Sequence, residues 1–134
     1  MPYCQLFYHL VWSTKNREPR ITPEVESVIY NLLRTKAIGL GGTVFAQNGS
    51  VEHVHLVTTI PPRIAVATFV GQVKGVASAK LNKSRPDDPP FYWQEEYGAF
   101  TFDGIGINAF VHFYISSGSI LLLHGMVAKM YDRR

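Results

Sequence analysis

The sequence predicts an α+β fold of the ferredoxin-like type: an antiparallel sheet with two helices on one face, followed by a C-terminal helix. Three observations predict it. Stretches of strict alternation mark strands, stretches of helical apolar spacing mark helices, and their order is strand, helix, strand, strand, helix, strand, helix. The 134 residues suffice for a single domain spanning 1–134 that needs no disulfide to hold it, and no repeat or low-complexity segment divides them.

Gln5–Ser13 is the first strand, with Leu6, Tyr8, Leu10 and Trp12 on one face and Gln5, Phe7, His9 and Val11 on the other. After a loop over Thr14–Ile21, Thr22 is a natural N-cap, Pro23 suits the first helical position, and Glu24 and Glu26 sit where the helix dipole is positive. Val25, Ile29, Leu32 and Leu33 carry the helical spacing up to the glycine cluster Gly39, Gly41 and Gly42, which ends it. Thr43–Gln47 is a short second strand, Asn48-Gly49 reads as a hairpin turn, and Val51–Ile60 is the third strand, terminated by Pro61 and Pro62. A second helix is expected over Ile64–Leu81, with Val66, Phe69, Val70, Val73, Val76 and Ala77 as its apolar stripe. Asn82–Pro90 reads as a loop, Phe91–Phe102 as extended chain, and Ile107–Ser117 as a last helix. The stretch 118–134 is an atypical tail, apolar at Ile120–Leu123 and interrupted by Gly118, Ser119 and Gly125.

Hydrophobic residues at 46% and charged residues at 17% place the chain among globular proteins and argue against disorder. No apolar run approaches the roughly 18 residues of a membrane-spanning helix, and the N-terminus lacks a signal-type segment, so a cytoplasmic location is expected. Cys4, the single cysteine, cannot form an intramolecular disulfide and reads as a strand residue. A net charge of +3 and an isoelectric point near 9.1 permit a polyanionic partner without requiring one. The distribution says more: Lys15, Arg17 and Arg20 share one loop, and Lys74, Lys80, Lys83 and Arg85 follow the second helix, so two basic patches could flank a groove; ordinary solvated charge is the alternative.

The chemistry concentrates on the third strand. Period-two alternation puts His53 and His55 on one side with Val57 and Thr59, and Val54, Leu56 and Ile60 on the other, giving one polar and one core face. Two imidazoles so spaced can bind one metal ion if a further ligand arrives from elsewhere. The alternative is a pair of half-exposed histidines satisfied by water or backbone. By the same alternation His9 lines the histidine side if its strand neighbours the third, and Glu52 points away as a hairpin or supporting residue.

Several ordered segments carry a family resemblance. Tyr8-His9-Leu10-Val11-Trp12, Glu52-His53-Val54-His55-Leu56-Val57, Gly71 to Ser78 and Trp93 to Phe100 together resemble the single-tyrosine HUH transposases of the insertion sequence 200/605 group, whose relatives include the REP-associated tyrosine transposases. The resemblance implies that His53 and His55 bind a divalent cation, Mg2+ or Mn2+. It also implies that a tyrosine on the last helix attacks single-stranded DNA to leave a 5′-phosphotyrosine, and that the protein acts as a homodimer without a nucleotide cofactor. Tyr114, followed by Ile115, matches the family's Tyr-Ile pair; alternatively it is a packing aromatic among Phe110 and Phe113. By the family's spacing the nucleophile position falls on Phe113, so Tyr114 requires one inserted residue between Asp103 and Gly106. One turn beyond Tyr114, where the family carries a metal-binding glutamine, stands Gly118, which has no side chain to ligate with; His112 and His124 lack that one-turn relation. Two functions follow as expectations: metal-assisted cleavage and rejoining of DNA through Tyr114, or a catalytically impaired or domesticated relative that binds hairpin or repeat DNA. In either, Lys15, Arg17, Lys74, Lys80 and Lys83 are the candidate DNA contacts.

Overall fold

A computed structural model describes residues 6–102. Its elements are β1 (Phe7–Ser13), a 3-10 turn (Lys15–Arg17), α1 (Pro23–Gly39), β2 (Val44–Gly49), β3 (His53–Thr59), α2 (Val66–Ser84) and β4 (Gly98–Phe102). The strands form one antiparallel sheet in the order β2-β3-β1-β4, the ferredoxin-like arrangement expected. The expected last helix at Ile107–Ser117 and the tail 118–134 lie outside the described residues.

The two faces of the sheet have different uses. Leu10 and Trp12 of β1 and Val54 and Leu56 of β3 pack with Val25, Ile29, Leu33 and Ala37 of α1 and Phe69, Val70, Val73, Ala77 and Leu81 of α2 in one buried cluster. Both helices therefore lie on the same face, as their apolar stripes require. The alternate residues of the same strands, Phe7, His9 and Val11 of β1 and His53, His55 and Val57 of β3, lie on the opposite face and are also buried. The histidine side is thus closed to solvent rather than half-exposed.

Pro23 opens α1 as expected, with Thr22 in extended conformation before it. The Thr22 hydroxyl caps no backbone amide; it lies 3.4 Å from Glu24 Oε2, and the Thr22 carbonyl takes the Val25 and Glu26 amides. At the other end Gly41, at a φ of 99°, turns the chain back in a conformation that favours glycine, and the Gly42 amide reaches the Ala37 carbonyl at 3.0 Å. α2 starts at Val66 and ends at Ser84 instead of spanning Ile64–Leu81. Pro61–Ile64 close a turn first, and the Ser84 hydroxyl and Arg85 amide satisfy carbonyls of the last helical turn.

The hairpin differs from expectation. Asn48 and Gly49 are strand residues, opposite His55 and Val54, and the reversal falls at Val51 and Glu52, between Ser50 and His53. Its tip is tied to the rest of the fold: the Val51 carbonyl accepts the Ile21 amide and the Glu52 carbonyl accepts the Thr14 amide, each at 2.8 Å. Glycine at position 49 serves close approach rather than turning, since a Cβ there would collide with the His53 carbonyl and lie 2.7 Å from the Tyr30 hydroxyl. Gly49→Ala is therefore expected to cost about 2 kcal/mol, read as a shift in the urea unfolding midpoint, because the backbone carrying His53 must move.

Phe91–Phe102 is not one continuous strand. Trp93 makes an isolated bridge to Thr14, the chain bends over residues 94–96, and only Gly98–Phe102 joins the sheet beside β1. The carbonyls of that bend converge on Lys74, described next.

Candidate functional site

Three histidines meet on the buried face of β1 and β3. Antiparallel pairing sets His9 opposite Val57 and Val11 opposite His55, so His9 and His55 are diagonal neighbours on one face. His9 Nε2 lies 2.8 Å from His55 Nδ1, and the rings stack at 5.0 Å between centroids. The His53 and His55 rings stand edge to face at 4.9 Å. His9 and His53 are 3% exposed and His55 1%. Burial pushes the His9 imidazole down to about 4, so near neutral pH it is an uncharged ring that can accept as well as donate.

The Nδ1 atom of each strand histidine has a specific neighbour. Ser50 Oγ lies 2.6 Å from His53 Nδ1, and His9 Nε2 occupies the equivalent place at His55. If these Nδ1 atoms carry the protons, Ser50 and His9 accept them, and the lone pair of each ring lies on Nε2. Ligating histidines commonly have this arrangement, in which an outer hydrogen-bond acceptor fixes tautomer and ring plane. The donor set therefore suits a borderline divalent cation as far as it goes. Among the described residues no group of three or more His, Cys, Asp or Glu side chains is placed to hold a metal ion, so further ligands would have to come from elsewhere. Ser50 was missed in the sequence; its signal is a hydroxyl three residues before a histidine across a tight reversal.

The other candidate residues divide. Lys15 and Arg17 are exposed in the turn that follows β1, adjoining the end of the sheet where Ser13 pairs with His53. Glu52 sits in the neighbouring reversal, its carboxylate 3.9 Å from Arg17, so it stands beside the site without entering the histidine cluster. Lys80 and Lys83 are exposed on α2, in the layer behind the sheet from the histidines. Arg20 and Arg85 are held by Glu18 and Asp88 at 2.8 and 2.6 Å. The two expected basic patches therefore do not flank one groove at the histidines. Tyr114, Phe113 and Gly118 lie outside the described residues.

Lys74 is not placed to contact phosphate. It is 8% exposed, and its ammonium donates to the Gln94 carbonyl at 2.6 Å and to the Glu95 and Glu96 carbonyls at 3.4 Å. Burial lowers its affinity for a proton, with Glu95 opposing that effect. The Trp93 indole donates to the Lys74 carbonyl at 3.0 Å, so this one residue gathers the whole 93–96 segment against α2. Its position was visible in the spacing, since Val70, Lys74, Ala77 and Leu81 form one helical stripe.

An antiparallel ferredoxin-like sheet with helices on one face and a histidine cluster on the other is an α+β domain that keeps its packing and its polar chemistry on opposite sides of the same strands. The chain belongs to the IS200-like transposase family, whose model matches residues 3–117. It is 30% identical over 89 residues to the ISDra2 transposase TnpA of Deinococcus radiodurans, an alignment covering 66% of this chain and 64% of the relative. It is 25% identical over 103 residues to the transposase for insertion sequence element IS200 of Salmonella typhimurium, covering 75% and 68%. Among solved structures, that of a candidate transposase from Deinococcus radiodurans R1 aligns with a TM-score of 0.66 at 26% identity, covering 83% of this chain and 88% of that one. A REP-associated tyrosine transposase, solved bound to a REP hairpin, shares the fold at a TM-score of 0.61 and 11% identity, covering 87% and 70%. Among the described residues no helix is long and apolar enough to cross a membrane.

Proposed function

We propose that this protein cleaves and rejoins single-stranded DNA through Tyr114, with a divalent cation held by His53 and His55. The observation that carries the reading is the pair of Nδ1 contacts, Ser50 to His53 and His9 to His55, which orient both rings on the scaffold of a transposase family. The chemistry a bound Mg2+ or Mn2+ supplies is polarisation of the phosphoryl group and stabilisation of charge on the departing oxygen. The Tyr114 oxygen forms a bond to phosphorus as the bond from phosphorus to the 3′ oxygen breaks, and the phenolic proton passes on balance to that oxygen. One strand end is then a 5′-phosphotyrosine and the other a 3′-hydroxyl, so rejoining needs no further energy source. Lys15 and Arg17 hold phosphates beside His53, the DNA is single-stranded or hairpin in form, and two copies act together.

A second reading has its own support: Gly118 cannot ligate, and the family match stops at residue 117, where the apolar tail begins. In that reading the domain binds DNA and cuts it poorly. Incubation of the full chain with Mn2+ and a labelled hairpin bearing a single-stranded flank separates the two. A covalent protein–DNA adduct that disappears in Tyr114→Phe is the expected result. Persistence of the adduct in that variant overturns the nucleophile, and absence of any adduct with Mn2+ or Mg2+ selects the second reading.

A further inference from the structure

The geometry points to a base-stacking platform at Tyr92, with Lys15 over its ring and Arg17 on the same turn as Lys15, that seats single-stranded DNA beside His53. This inference rests on the reading that DNA is the substrate. Phe91 is buried and Trp93 partly so, while Tyr92 between them is 56% exposed. An aromatic ring turned outward in an otherwise packed segment needs a reason, and here the backbone beneath it is fixed from three sides. The Tyr92 carbonyl accepts the Lys15 amide at 3.0 Å, Asn82 bonds both the amide and the carbonyl of Phe91, and Trp93 is held by Thr14 and Lys74.

The backbone that carries Lys15 and Arg17 is held as firmly. Lys15 Nζ stands 5.8 Å from the centre of the Tyr92 ring, and the Arg17 side chain is 69% exposed with only a 3.9 Å approach to Glu52. Asn16 and Arg17 both adopt left-handed backbone angles, φ 57° and 54°, which asparagine tolerates and arginine rarely adopts. That conformation is secured by Asn16 N donating to Gln94 Oε1 at 3.0 Å, Arg17 N to the Thr14 carbonyl at 3.0 Å, and the Thr14 hydroxyl to the Glu18 carbonyl at 2.6 Å. A strained turn so thoroughly tied down fixes the backbone from which the two positive charges project. An exposed aromatic ring with a lysine ammonium over it and an exposed arginine on the same turn matches a polyanion whose bases are unstacked, which is what single-stranded DNA offers and a duplex does not. Only Thr14 separates the turn from Ser13, the residue paired with His53, so the platform adjoins the strand end that carries the histidine cluster.

The test is fluorescence anisotropy of the full chain with a fluorescein-labelled oligothymidylate of about 15 nucleotides, in EDTA so that binding is read without cleavage. Tyr92→Ala is expected to weaken binding about 10-fold and Tyr92→Trp to preserve it. Lys15→Ala with Arg17→Ala should flatten the slope of log affinity against log salt by about 1.4, the loss of two phosphate contacts on a single strand. Circular dichroism melts confirm that each variant is folded. Tyr92→Ala binding within about twofold of the parent, or equal losses in the alanine and tryptophan variants, overturns the platform. Tyr92-dependent binding without any adduct in the Mn2+ assay supports the platform and overturns the cleavage reading. Adduct formation with Tyr92-independent binding does the reverse.

Discussion

His55→Ala is expected to abolish measurable Mn2+ binding by isothermal titration calorimetry and, with it, adduct formation on hairpin DNA; His53→Ala should do the same. Each removes one of two imidazoles that share a strand face, and a single imidazole holds a divalent cation weakly. The neighbouring variants give this expectation its discriminating power. His9 touches no metal in the proposed site, yet its Nε2 lies 2.8 Å from His55 Nδ1, and in the tautomer that puts the ligating lone pair on His55 Nε2 it is His9 that accepts the Nδ1 proton. His9→Leu should therefore weaken Mn2+ binding by about 10- to 100-fold. His9→Gln, whose amide oxygen can accept the same proton, should recover most of that affinity. If leucine and glutamine behave alike, His9 acts only by filling space. If His9→Leu binds Mn2+ as the parent does, the tautomer argument fails.

Lys74→Met is the largest expected effect on folding. The substitution keeps the buried stem but removes the ammonium that satisfies the carbonyls of Gln94, Glu95 and Glu96. Hydrogen bonds from a charged donor each contribute more than neutral ones, and the bereft carbonyls lose their partner together. A loss of about 3 kcal/mol is expected, which for a domain of this size lowers the melting temperature by about 10 °C. The same variant separates the two uses of this lysine. A phosphate contact would show as a shallower salt dependence of DNA binding measured well below the melting transition. A clamp on the 93–96 segment leaves that slope unchanged while the protein becomes less stable, and this is the expected outcome.

The fold was legible because its signals are local and periodic. Alternation in Phe7–Ser13 and His53–Thr59 assigned the core and histidine faces of both strands, and Pro23 with the glycines after Ile38 bounded α1. The Asn48-Gly49 signal marked a genuine need for glycine and mistook its cause. The glycine admits the His53 carbonyl and the Tyr30 hydroxyl, and the reversal lies beyond it, at a tip anchored by Ile21 and Thr14 that no local pattern reveals. His53 and His55 were visible as a pair on one face, but the contact between His9 and His55 depends on the register of β1 against β3, residues 46 apart in sequence. Lys74 was misread by residue type: a lysine on a helix suggests a solvated charge, whereas its place in the stripe of Val70, Ala77 and Leu81 puts it inside.

The central place of β1 in the sheet bears on how the protein is made. During synthesis Tyr8-His9-Leu10-Val11-Trp12 leaves the ribosome before both of its hydrogen-bonding neighbours, β3 and β4, the latter reaching to residue 102. α1 can form from local contacts in the interval, while an apolar, β-prone strand waits with its edges open. The nascent chain is thus most vulnerable to association before β3 emerges, and no fragment shorter than the first 55 residues can bring His9 to His55. Productive folding of this domain is governed by how quickly one late strand claims an early one.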